Sequence, residues 1–171
     1  MLVHLAAIII AGIACLTDLR SRRISNRLVM VGAVLGMLVN LLSQGLSGLG
    51  WSVLGGLLGL ALFLPFFALG GMGGGDVKLL ACLGTILGPS DLLAVALVGA
   101  VIGGVLALGV ATAHGRLRST LSGIGSLVAF WATGGLRPSP VLNLASPETL
   151  KIPYAVPVAA GTLVVLLSRW S

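Results

Sequence analysis

Acidic residues are almost missing from this chain of 171 residues: Asp18, Asp76, Asp91 and Glu148 are the only four. Charged residues of both signs make up 8%, against roughly 25% in soluble domains. Such a chain carries too little charge for an ordinary water-facing surface. Cysteine is equally scarce. Cys15 and Cys82 lie far apart inside apolar runs with no CxxC spacing, so neither a disulfide framework nor a zinc site is indicated, and both read as small buried hydrophobes. His4 and His114 are the only histidines and no GxSxG element accompanies them, which leaves little support for Ser-His catalysis. No metal and no organic cofactor is expected.

What the chain has is hydrocarbon: 57% of its residues are hydrophobic and its mean hydropathy is +1.15. This is the composition of a membrane protein, with the lipid bilayer as its first partner. The net charge of +6 does not point to nucleic acid, because the cations lie in short linkers between apolar runs and form no basic face with interleaved aromatics. The N-terminus is apolar enough for a signal sequence, and Ile13-Ala14-Cys15 faintly resembles a lipoprotein cleavage site. The basic residues, however, follow the run as Arg20, Arg22, Arg23 and Arg27, the reverse of the signal-peptide order. The first segment is expected to be a retained anchor.

Apolar runs cover Leu2 to Thr17, Leu28 to Leu42 and Trp51 to Leu69. The first two are joined by a polar loop with four arginines, the second and third by an uncharged turn over Ser43 to Gly50. A short helix is expected from Asp76 to Leu87, stopped by Gly88-Pro89, with Ser90 and Asp91 opening the next segment. Leu92 to Thr112 forms a fifth run, and the last begins at about Pro153 and ends at Arg169. Leu121 to Trp131 is short against the ~20 residues that span a bilayer, so it reads as interfacial or re-entrant. A Pro/Ser-rich linker from Arg137 to Lys151 follows it. The expectation is an all-α polytopic integral membrane bundle, one domain over residues 1–171, with six transmembrane helices and seven as the alternative. With six, every Lys and Arg except Arg169 falls on one side, which sets the N-terminus outside and faces Asp18 and Asp76 to the cytoplasm. GxxxG pairs at Gly32/Gly36, Gly55/Gly59, Gly84/Gly88 and Gly99/Gly103 support a compact bundle.

An acid near hydrocarbon costs roughly 2.5 to 3.5 kcal/mol on insertion scales, so each one there suggests a site. Asp76 closes the run Gly70-Gly71-Met72-Gly73-Gly74-Gly75-Asp76, whose glycines admit a close backbone approach. The run fits neither GxxxxGK[ST] nor GxGxxG, so no nucleotide loop is present. Asp18 ends the first span and Asp76 begins the fourth, at the same expected depth. Such a pair can hydrolyse a peptide bond, one carboxylate taking a proton from water while the other, as acid, donates to the carbonyl oxygen. The plainer reading is that each acid marks a helix boundary beside an arginine or lysine.

Gly73-Gly74-Gly75-Asp76, followed by Val77-Lys78-Leu79-Leu80, resembles the GxGD signature of the prepilin peptidases, intramembrane aspartic proteases. Asp18 to Asn26 resembles the family's first aspartate motif, with Ser25 where a proline is usual, and Ile152-Pro153-Tyr154 resembles an element that opens the last span. The resemblance implies cleavage of short basic leaders from type IV-like prepilins at the cytoplasmic face of the bacterial inner membrane, just after a glycine. The larger bifunctional relatives carry an N-terminal methyltransferase part with paired CxxC motifs, and nothing like it occurs here. The chain therefore resembles the short CpaA/TadV type that serves Tad (Flp) pili, with an archaeal preflagellin peptidase as a related alternative.

The expected catalytic residues are Asp18 and Asp76, with Gly73, Gly75, Lys78 and Asn26 as substrate-binding or supporting residues. Lys78 reads either as orienting Asp76 or the bound peptide, or as a flanking charge. Asn26 is expected to support the Asp18 loop with a hydrogen bond. Asp76 at a helix N-terminus and Asp18 near a helix C-terminus suggest that Asp76 starts as the base and Asp18 as the acid. Asp91 and Glu148 lie outside the expected site. The competing function is a small transporter or channel using the two acids as a proton or cation relay, although relays favour acids near mid-membrane. A purely structural scaffold leaves the paired motifs unexplained.

Overall fold

A computed structural model describes residues 2–69, 71–134 and 153–169. Gly70, the linker with Arg137, Glu148 and Lys151, Ile152 and Trp170 lie outside the described residues. Five helices follow in order: α1 (Leu2–Ser21), α2 (Asn26–Ala68), α3 (Gly74–Ala113), α4 (Leu117–Gly134) and α5 (Ala155–Ser168). The described residues contain no strand. By length and composition α1, α2 and α3 are long and apolar enough to cross a membrane, and α5 is a shorter apolar helix.

Two of these helices are bent back by glycine. Gly45 (φ 65°, ψ −150°) divides α2, and Gly88 (φ 79°, ψ 176°) divides α3. Such dihedrals are essentially restricted to glycine, so each break reverses the chain within about one residue. Pro89 follows at the start of a new arm, where its missing N–H costs nothing. The Gly88 break falls where Gly88-Pro89 predicts it. The link between the arms of α2 is tighter than the eight-residue turn expected over Ser43 to Gly50. Ser43 and Ser47 are helical, and their hydroxyls donate back to Val39 O and Gln44 O, each at 2.7 Å, which satisfies them within the helix.

Helix α3 is the centre of the bundle and touches each of the other four. Its Leu79, Leu80 and Leu83 are fully buried in a core that also takes in Ala7, Ala11 and Ala14 of α1. On its other side the second arm of α2 approaches backbone to backbone. A methyl group on Gly59 would lie 2.8 Å from the Ala81 Cα, and Gly55 meets Gly84 more closely still. The GxxxG glycines thus serve as helix contacts rather than as breaks, except for Gly88. The outer faces carry large apolar side chains, among them Leu42, Leu46 and Met30, in the pattern of a surface that meets lipid or a partner rather than water.

A polar knot secures the Gly88 break. Asn40 is buried on the first arm of α2, and its Nδ2 donates to Ser52 Oγ (3.1 Å), Ile86 O (3.0 Å) and Thr85 O (3.3 Å), while Ser52 Oγ also donates to Thr85 O. The carbonyls that the helix leaves unpaired at this end are satisfied by side chains of its neighbour. At the same end of the bundle Arg169 pairs with Asp91 at 2.9 Å. Helix α4 has 18 residues, longer than the eleven expected, because it starts directly after the turn at Gly115 (φ 64°). Ser119 and Thr120 are drawn into its first turn by hydrogen bonds to Arg116 O.

Candidate active site

Helix α1 runs four residues past the apolar stretch, so Asp18 stands on the helix and not in a loop. Spacing then decides where it faces. Ala7, Ala11, Ala14 and Asp18 follow at helical intervals on the buried side, and Asp18 is only 8% exposed. Its Oδ2 accepts the backbone N–H of Ala155, the first residue of α5, at 3.4 Å.

Asp76 is the third residue of α3 and is half-buried. Gly73 caps the helix in an extended conformation, φ −73° and ψ 143°, and the Asp76 carboxylate folds back on the Gly73 backbone, the half of a capping box that the acid supplies. A Cβ on Gly73 would lie 2.9 Å from Asp76 Oδ2. The absent side chain at Gly73 is therefore what leaves room for the carboxylate. Asp18 and Asp76, on different helices, are near enough to act on one another electrostatically, and Asp76 in turn acts on Tyr154 at the cap of α5.

The other expected residues surround this pair. Gly75 faces the link between α1 and α2, where a Cβ would sit 3.3 Å from the Ile24 Cβ. Ser25 has φ −66° and ψ 129°, within the range that a proline ring imposes, so serine preserves the backbone path expected of proline. Lys78 Nζ donates to Asn26 Oδ1 at 3.0 Å, joining the first turn of α3 to the first residue of α2. Asn26 thus reaches α3 rather than the Asp18 loop.

Beside Lys78 an apolar groove of about 290 Å³ opens between the two arms of α2 and the first arm of α3. Met30, Ala33, Met37, Val53 and Leu57 line it from α2, and Ala81, Cys82 and Thr85 from α3. Among the described residues Lys78 is the only charged one in its wall. Among the described residues no three metal-ligating side chains come together.

The α5 contribution to Asp18 has no side-chain signature in the sequence, where the position of Asp18 near a helix C-terminus predicts opposite dipole environments for the two acids. In the fold Asp18 also meets the N-terminus of α5, where an anion is favoured. Both acids therefore sit at helix N-termini, and the dipole no longer separates base from acid. The signal for α5 was the element at Ile152-Pro153-Tyr154, which carried no assigned role.

Two carboxylates brought together at helix ends within an apolar helical bundle form a site suited to acid/base hydrolysis. The type IV leader peptidase family model matches residues 5–108, and the chain belongs to that family. It is a peptidase of the leader-peptidase type. The matched stretch contains Asp18, Asn26, Gly73, Gly75, Asp76 and Lys78 and stops before α5. Comparisons with curated proteins and with solved structures gave no match.

Proposed function

We propose that the chain is a membrane aspartic endopeptidase that removes the leader of Tad (Flp)-type prepilins at the cytoplasmic face of the bacterial inner membrane. The convergence of Asp18 and Asp76 carries this reading. One carboxylate takes a proton from water, whose oxygen adds to the scissile carbonyl carbon. The other donates its proton to the carbonyl oxygen. Collapse of the tetrahedral species breaks the C–N bond, and the leaving nitrogen takes a proton from the pair.

In this reading residues 1–171 form one domain that crosses the membrane six times, the arms of α2 and α3 counting separately. The N-terminus lies outside. Arg20, Arg22, Arg23 and Arg27 flank the site, while Arg169 is neutralised by Asp91 at the far end, a distribution that supports this orientation. The short type is supported by the position of both cysteines inside helices, Cys15 in α1 and Cys82 in α3. The extended leader would pass the glycines before Asp76, and the apolar segment next to it would lie in the groove beside Lys78.

The test is processing in cells. A candidate Flp-type pilin is co-expressed with the unaltered chain, with Asp18→Asn and with Asp76→Asn, and its size is followed on a gel. The unaltered chain should shorten the pilin and both variants should leave it whole. Shortening that persists in both variants would overturn the aspartic mechanism. Ion flux in proteoliposomes is the counter-check for a relay.

A further inference from the structure

The backbone donors of residues 155–158, at the start of α5, can be accounted for one by one. The Val156 N–H turns back to Pro153 O and the Val158 N–H to Tyr154 O, each at 3.3 Å. Pro157 has no N–H. Only the Ala155 N–H leaves the helix, as one of the donors that a helix start cannot pair internally, and it reaches Asp18 Oδ2 at 3.4 Å. Ala155 is fully buried.

Among the described residues the Asp18 carboxylate has no second donor. Arg20, Arg22, Arg23 and Arg27 follow it closely in sequence, yet all four are exposed and none pairs with it. A carboxyl group turns broadly about its last torsion, so the single bond to Oδ2 decides where Oδ1 points. Helix α5 is itself fixed where it passes α3. A Cβ on Gly161 would lie 2.8 Å from the Gly99 N and 3.0 Å from Val95 O, and one on Gly99 would lie 3.3 Å from Pro157 O. The Arg169–Asp91 pair at the far end is a weaker fastening, since the arginine side chain is 56% exposed. The glycine seam therefore sets where the first turn of α5 stands.

We propose that the Ala155 backbone N–H is a positioning group of the peptidase, holding Asp18 Oδ2 so that Oδ1 is left for the water or the scissile carbonyl. Helix α5, which lies beyond the matched family stretch, then takes part in the reaction through its backbone. This rests on the aspartic mechanism proposed above.

The test replaces one amide by an ester. The full chain is made by cell-free synthesis into phospholipid nanodiscs with lactic acid in place of Ala155, which removes the N–H and keeps the methyl side chain. A control carries the hydroxy acid analogue of valine in place of Val156, whose N–H serves Pro153 O and not Asp18. Each ester also weakens the carbonyl before it, so the two differ in which N–H is lost. Both are assayed, per folded molecule counted by size exclusion, on a prepilin that the unaltered chain cleaves. The ester at 155 should lower kcat by on the order of tenfold and leave KM within about twofold, while the ester at 156 keeps the wild-type kcat. Wild-type kcat in the ester at 155 would overturn the proposal. Equal losses in both esters would also overturn it, the helix start then mattering as structure alone. Asp18→Asn and Asp76→Asn are assayed beside them. If these still cleave, the aspartic mechanism fails whatever the esters do; if they are dead and the ester at 155 is fully active, only the role of the Ala155 N–H fails.

Discussion

Asp18, in the last turn of α1, accepts the backbone N–H of Ala155 in the first turn of α5 at 3.4 Å. The contact joins residues 137 positions apart in sequence and aims the end of one helix at the beginning of another. A carboxylate that would otherwise sit among the unpaired carbonyls of its own helix is offered a donor and a favourable dipole. It also ties the last helix, which lies beyond the matched family stretch, to the first.

Asp18→Glu tests how tightly this geometry is held. The added methylene keeps the charge but moves the carboxylate by more than an ångström, so it cannot hold the Ala155 N–H and face Asp76 as before. Cleavage should fall by about 10²-fold, the usual cost of an ångström-scale misplacement, while the protein stays folded. Single-turnover rates with a prepilin measure it, and a rate within threefold of wild type would show that the position of Asp18 is not critical.

The two glycine breaks should respond differently to alanine. Gly45 and Gly88 both hold positive φ, at 65° and 79°, which costs a non-glycine residue on the order of 1 to 3 kcal/mol. At Gly45 nothing lies within 4 Å of an added Cβ, whereas at Gly88 the Trp51 indole lies 2.5 to 2.6 Å away. Gly88→Ala should therefore lower stability more than Gly45→Ala, by about a further 1 kcal/mol as the indole is displaced. Unfolding midpoints of the two variants in the same detergent decide the order, and equal midpoints would mean that Trp51 moves freely.

The parts of this structure legible in the sequence are those written in local chemistry. Scarcity made Asp18 and Asp76 conspicuous, and Gly88-Pro89 marked the break in α3. Positive φ at Gly45 was not legible, because the surrounding Ser43, Gln44 and Ser47 read equally well as turn residues; in the fold all three are helical, and Ser43 and Ser47 bond to helix carbonyls. Asn40, Ser52 and Thr85 went unnoticed for the same reason. A lone amide in an apolar run has no signature until the carbonyls of another helix are brought to it. The role of α5 at Asp18 is a backbone property, an N–H at a helix start, and no side chain in the sequence announces it. Tyr154 is visible in the sequence as part of an element but not as the cap of the helix whose first N–H meets Asp18, since that depends on how α5 docks.

The groove beside Lys78 gives the proposed substrate path a consequence separate from the chemistry. Its walls are apolar over Ala33, Met37, Leu57 and Ala81, and Lys78 stands two residues from Asp76. A segment that binds there is held before and during the reaction alike, so the groove contributes uniform binding and should govern KM but not kcat. Ala33→Leu places an isobutyl group into the space of about 290 Å³ without touching either acid. It should raise KM by roughly tenfold, about 1.4 kcal/mol of lost binding, and leave kcat within a factor of about two. Ala33 also packs against the core, so the unfolding midpoint of the variant is measured beside it to separate a filled groove from a disturbed one. Steady-state cleavage in detergent measures both constants. An unchanged KM with the groove filled would direct the search for the substrate path to another face of the bundle, and a fall in kcat alone would mean that the groove supports the carboxylate pair and not the peptide.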